Sequence, residues 1–222
     1  MAAANKKCFL AGMLAAFDSS LLILPGVIGF FILIVWLARN HARKTRAELA
    51  AIAAQAGLRM VEKMVLGLTL VESLEGESQG RPVRYWTYTT GSGKSRTTWV
   101  AVGVRVPVGV ALQFELTPQN FGSKLMELFG VREIQVGDPA FDTAWFVRTN
   151  QPEFFAAALV PAIRAKLMAE TADWRGADYK LEHGVVRYAE RGGLSAATVG
   201  RLAAKLPLLQ DLADVAEVSA RV

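Results

Sequence analysis

The sequence predicts an α+β fold: an N-terminal transmembrane helix followed by a mainly antiparallel β-sheet domain covered by two or three helices. Three observations lead there. Leu21 to Leu37 runs for 17 residues without a charge. After Gly57 the apolar spacing changes from helical to alternating, and after Pro152 helical spacing returns around a single hairpin signature.

The apolar run sets the organisation. A helix through Leu21 to Ala38 is just long enough for a hydrocarbon core of about 30 Å, and Trp36 followed by Arg39 puts an interfacial aromatic and a cation where a span should end. Pro25 and Gly26 are tolerated in such a helix. A cleaved signal peptide is the competing reading, because Lys6 and Lys7 precede the apolar Cys8 to Phe17. The longer apolar segment after Asp18, Ser19 and Ser20 argues against it. The chain therefore divides into a lead (1–20), a span (21–38), a basic flank with a juxtamembrane helix (39–57) and a folded domain (58–222).

Charge gives the orientation. Lys6 and Lys7 precede the span, whereas Arg39, Arg43, Lys44 and Arg46 follow it, so the C-terminal side is expected to be cytoplasmic. Trp36, Arg39, Arg43, Lys44 and Arg46 are the candidate membrane-surface contacts. Each of these cations near anionic lipid head groups contributes about 1 kcal/mol. The lipid bilayer is thus the first predicted partner. Six of the 25 basic residues and one of the 20 acidic residues lie before Ala47, which leaves 19 of each sign beyond it. The domain itself is neutral, and no nucleic-acid partner is expected. Cys8 is the single cysteine, so no disulfide within the chain and no multi-thiolate zinc site can form.

Thr45 to Ala56 is rich in helix formers, with Gly57 as a stop, and Thr45 with Glu48 reads as a capping box that starts a fresh helix. Strands are expected at Met64 to Glu72, Arg81 to Thr90, Arg96 to Val106 and Val110 to Leu116, with turns at Gly76 to Gly80 and Pro107 to Gly109. In the third strand Val100, Val102, Val104 and Val106 point to one face and Trp99, Ala101, Gly103 and Arg105 to the other, and one of the two faces is core.

Residues 91–95, GlySerGlyLysSer, end like a phosphate-binding loop, but Tyr88 stands where that motif needs glycine and a strand follows where it needs a helix. A hairpin loop is the better reading, with Lys94 and Arg96 as candidate contact residues. Phe121 to Phe129 is expected to be a short helix, then Val131 to Val136 and Phe141 to Arg148 two strands around the turn GlyAspProAla. Asp138 initiates that turn; with Asp142 it offers two oxygen ligands, too few for a recognisable cation loop.

The run Gly137 to Glu153, with its GDPxFD turn, strand and AsnGlnProGlu helix start, resembles a group of uncharacterised bacterial single-pass membrane-anchored proteins with a domain of unknown function. The resemblance implies a bacterial cytoplasmic or envelope domain of unknown role and carries no catalytic residue with it; together with the span, the expected location is the bacterial inner (cytoplasmic) membrane.

Pro152 opens a helix that Pro161 interrupts, with Phe154, Phe155, Leu159, Ile163 and Leu167 as its apolar stripe. Tyr179 to Glu182 and Val185 to Glu190 flank HisGly as a hairpin, and Ser195 to Val218 is helical with a break at Pro207. No Ser/His/Asp arrangement, HExxH, dinucleotide fingerprint or thiol pair occurs, and no cofactor is called for. The function expected is a membrane-tethered interaction or accessory module with a protein partner. The alternatives are a lipid-binding module, or an enzyme on membrane-associated substrates using Asp138, Asp142 or His183.

Overall fold

The computed structural model describes residues 2–65, 68–107, 109–119, 134–171 and 178–221, with side chains from residue 25 onward except that of Leu68. It is an N-terminal apolar helix joined to an α+β domain whose sheet has, among the described residues, eight antiparallel strands.

Helix α1 runs from Ala2 to Gln55 without interruption through Pro25. The fresh start expected at Thr45 does not occur, because the backbone on either side is already helical and offers no unpaired amide for a cap to satisfy. Its end is as expected: Gly57 turns left-handed (φ 65°) and the Leu58 amide bonds back to the Ala53 carbonyl at 2.7 Å. The helix changes character along its length. From Pro25 to Asn40 every side chain is exposed, whereas Leu49 and Ala53 are buried in the core of the domain.

The chain then forms β1 (Arg59–Val65), β2 (Leu68–Ser78), β3 (Arg81–Thr90) and β4 (Thr97–Arg105) as an antiparallel meander. The single strand expected over Met64 to Glu72 is instead the junction of β1 and β2, since Val65 pairs with Leu68. An apolar run cannot by itself show where one strand ends and its partner begins. The expected turn at Gly76 to Gly80 contracts to Gln79 and Gly80, whose φ values of 52° and 74° suit a two-residue hairpin. A one-turn 3₁₀ segment, Gly93–Ser95, joins β3 to β4, and a strand follows it as expected.

Strand β5 covers Phe114–Pro118, shifted from the expected Val110 to Leu116. The expected strand over Phe141 to Arg148 is half helix. Asp138 accepts the Phe141 amide and Pro139 fixes the first turn, giving α2 (Pro139–Ala144) before β6 (Trp145–Thr149). The helix expected at Phe121 to Phe129 and residues 131–133 of the next expected strand lie outside the described residues. Ile134 to Val136 is not strand, although the Ile134 amide bonds the Val147 carbonyl at 3.0 Å.

Helices α3 (Pro152–Ala158) and α4 (Pro161–Glu170) each open on proline. The hairpin β7 (Tyr179–Glu182) and β8 (Val185–Arg191) turns on His183 and Gly184, φ 53° and 74°. Helices α5 (Ala196–Ala203) and α6 (Leu206–Ser219) close the chain.

The strand order is β1-β2-β3-β4-β8-β7-β5-β6, so the C-terminal hairpin fills the middle of the sheet. One face carries Tyr85, Val102, Tyr188 and Tyr179 in a row across β3, β4, β8 and β7. These pack with Leu49 of α1, Phe155 of α3, Leu167 of α4, Leu202 of α5 and Leu209 of α6 as one core.

Candidate binding face

Because side chains alternate along a strand, the residues between those core positions project to the opposite face. Register lines them up in rows across β3, β4 and β8: Arg84, Gly103 and Arg187; Trp86, Ala101 and Ala189; Tyr88, Trp99 and Arg191. The rows juxtapose guanidinium groups and rings over a floor of small residues. Ala101 and Ala189 are fully buried on a face the core does not use, which places the larger side chains over them.

Gly103 is the floor of this face. A Cβ there would stand 2.7 Å from Val185 Cγ1 and 2.9 Å from the Trp86 ring, so the ring lies where any side chain at 103 would go. Around it opens a concavity of about 900 Å³, bordered by Arg84, Trp86, Arg105, His183 and Arg187, with Arg59 and Glu75 toward the sheet edge.

The polar groups are held by one another. Arg187 grips Asp178 with two bonds of 3.0 and 3.1 Å, donates to the Tyr88 hydroxyl at 3.1 Å, and sits 5.5 Å from the centre of that ring. Arg191 lies 5.6 Å above Trp99, which stacks 6.5 Å from Tyr88 and donates to Thr90 at 2.8 Å. Burial pushes the Tyr88 phenol up, against the opposing pull of Arg187. At the rim, the Lys180 ammonium 3.0 Å away holds the Glu182 carboxyl below the usual carboxylate range. Glu75 is shared by Arg59 at 3.1 Å and Arg84 at 3.4 Å. Arg105 is exposed and has no ion pair among the described residues. Fixed rings and forked cations of this kind suit recognition of carboxylate and amide groups beside apolar ones.

A second concavity, about 580 Å³, lies between α3, α4 and α6, with Phe154, Val160, Ile163, Val215 and Val218 on its walls. Among the described residues no group of three or more His, Cys, Asp or Glu side chains is placed to hold a metal ion.

The residues singled out from sequence fall in three places. Trp36, Arg39, Arg43 and Lys44 are exposed on α1, and Arg46 reaches back to Glu62 of β1, Nη2 to Oε2 2.9 Å. Lys94 and Arg96 are exposed at the β3–β4 turn, Arg96 within 3.5 Å of Thr89. Asp138 and Asp142 serve their own turn: Asp138 caps α2 and pairs with Arg164 at 3.2 Å, while Asp142 accepts the amides of Val136 and Gly137 at 2.9 and 3.1 Å. His183 borders the open face, and neither aspartate does.

Trp86, Arg84, Tyr88 and Arg187 were not singled out from sequence. Alternation in β3 carried the same signal as in β4, but the pairing of β8 with β4, which brings Arg187 beside Gly103, leaves no local mark.

No protein-family model matches the chain, and no curated protein matches it. Among solved structures it is similar to the crystal structure of the mycobacterial trehalose monomycolate transport factor A, TtfA, at 13% identity and a TM-score of 0.51, over 80% of this chain and 94% of that one. At that identity the likeness is one of fold.

Proposed function

We propose that the chain is a membrane-tethered accessory module, in which α1 spans the bilayer and the domain offers its open arginine–aromatic face to a protein partner. The observation that carries this reading is the division of α1. Its segment from Pro25 to Leu37 is apolar and wholly exposed, while Leu49 and Ala53 are core residues of the domain. One rigid element thus belongs to both, and the cations Arg39, Arg43 and Lys44 stand at the boundary, beside anionic head groups.

The greater positive charge after the span supports a cytoplasmic domain, and the likeness of Gly137 to Glu153 to bacterial membrane-anchored proteins supports an inner-membrane location. The name of the solved neighbour, a transport factor for trehalose monomycolate, is in keeping with an accessory role at a membrane.

Cross-linking at native expression followed by purification in mild detergent tests the proposal. A defined neighbour should be recovered with the intact chain and lost with Trp86→Ala or Arg105→Glu. A clean monomer without any cross-linked neighbour overturns it. Reporter fusions at Val222, one active only in the cytoplasm and one only outside, test the orientation separately.

A further inference from the structure

We propose that the paired ends of β1 and β2, at Met64, Val65 and Leu70, are a second membrane contact, reaching the same bilayer interface from which α1 emerges. This rests on the reading of α1 as a span.

The geometry comes from the reversal at Gly57. After it, β1 runs back along α1, as the Arg46 to Glu62 pair shows. From Glu62 to Val65 is three strand residues, about 10 Å at 3.3 Å each. From Arg46 back to Arg39 is seven helix residues, again about 10 Å at 1.5 Å each. Val65 therefore draws level with Arg39, the first cation beyond the span. The burial of α1 agrees: Ala42 and Thr45 are half-buried on the same stripe as Leu49 and Ala53, so the domain side of the helix begins one turn past Arg39.

The chemistry of these strand ends fits that depth. Met64 is 74% exposed, Leu70 42% and Val65 40%, and outside the span only Val160 and Val218 join them as exposed large apolar side chains among the described residues. Met64 shares the face of Glu62, turned toward α1, whereas Val65 and Leu70 occupy the opposite face with Lys63. A protein docking on the sheet would cover one face. Apolar side chains exposed on both faces of the strand pair suit a medium that surrounds them, and Lys63 can extend its ammonium to the head groups beside Arg39 and Arg43.

The test uses the intact chain, one copy per nanodisc of phosphatidylcholine and phosphatidylglycerol, in a Cys8→Ala background. Single cysteines at Met64, Leu70, Leu33 and Glu77 carry a polarity-sensitive fluorophore. Labels at 64, 70 and 33 should show blue-shifted emission and lose iodide quenching, while the label at 77 stays quenched. Aqueous labels at 64 and 70 with a buried label at 33 overturn the strand-end contact and leave the span standing. An aqueous label at 33 overturns both. If 64 and 70 become shielded only at higher protein loading, the occupant is a second copy of the chain, and the proposal falls.

Discussion

Arg81 Nη1, at the β2–β3 turn, donates a 2.8 Å hydrogen bond to Gln210 Oε1 on α6, across 129 residues of sequence. The same guanidinium reaches Asp214 at 2.6 Å and Glu217 at 2.7 Å, and Gln210 in turn donates to the Ser78 carbonyl at 2.9 Å. Gln210 is 2% exposed, so removing its partner strands a buried amide oxygen. Arg81→Ala is expected to destabilise the domain by about 1–3 kcal/mol, seen as a lower Tm of the intact chain in detergent. A change within error would show that water replaces the guanidinium freely.

Two capping motifs predict opposite outcomes. Ser195 caps α5 reciprocally with Thr198, its amide bonded to Thr198 Oγ1 at 2.8 Å, and Ser195→Ala should cost about 1 kcal/mol. Thr45 lies inside a continuous helix, so Thr45→Ala should be neutral or stabilise by up to about 0.7 kcal/mol. Equal losses in thermal unfolding would contradict the uninterrupted helix.

A side chain at 103 would run into Val185 and the Trp86 ring. Gly103→Val should shift that ring, alter the near-ultraviolet circular dichroism, and destabilise by about 1–3 kcal/mol. An unchanged aromatic spectrum would mean that the ring does not rest on residue 103.

Tyr85 is buried in the core, and burial raises its phenol from 10 to about 12. Between those values the unfolded chain has lost the proton and the folded chain keeps it. The stabilisation is thus complete below pH 10 and declines as pH rises toward 12, by about 1–3 kcal/mol. Urea unfolding across that window should show the decline, and Tyr85→Phe should lessen its slope. An equal slope in the variant would assign the effect to other groups.

Asp142 holds two backbone amides, so Asp142→Ala should cost about 1–3 kcal/mol and leave partner recovery intact. Added calcium should leave the Tm where it is. A calcium-dependent rise would make the turn a cation site after all.

The sequence disclosed what local rules govern and little of what distance governs. The apolar run of α1, the valine alternation of β4 and the HisGly hairpin each announce themselves within about twenty residues. Phe141 to Ala144 did not, because a proline after aspartate serves a turn or a helix start equally well. The candidate face was half legible: Trp99, Ala101, Gly103 and Arg105 shared one side of their strand by spacing alone. Arg187 joins them only through the β4–β8 pairing, which depends on tertiary packing.

That pairing also orders events during synthesis. β4 leaves the ribosome about 80 residues before β8, its partner across the middle of the sheet. At 5–20 residues per second the N-terminal meander waits roughly 4–16 s with Val100, Val102 and Val104 on an open edge. A helix threaded into a bilayer in that interval keeps each nascent meander apart from its neighbours. Tethering would then protect the unfinished sheet as well as position the finished one.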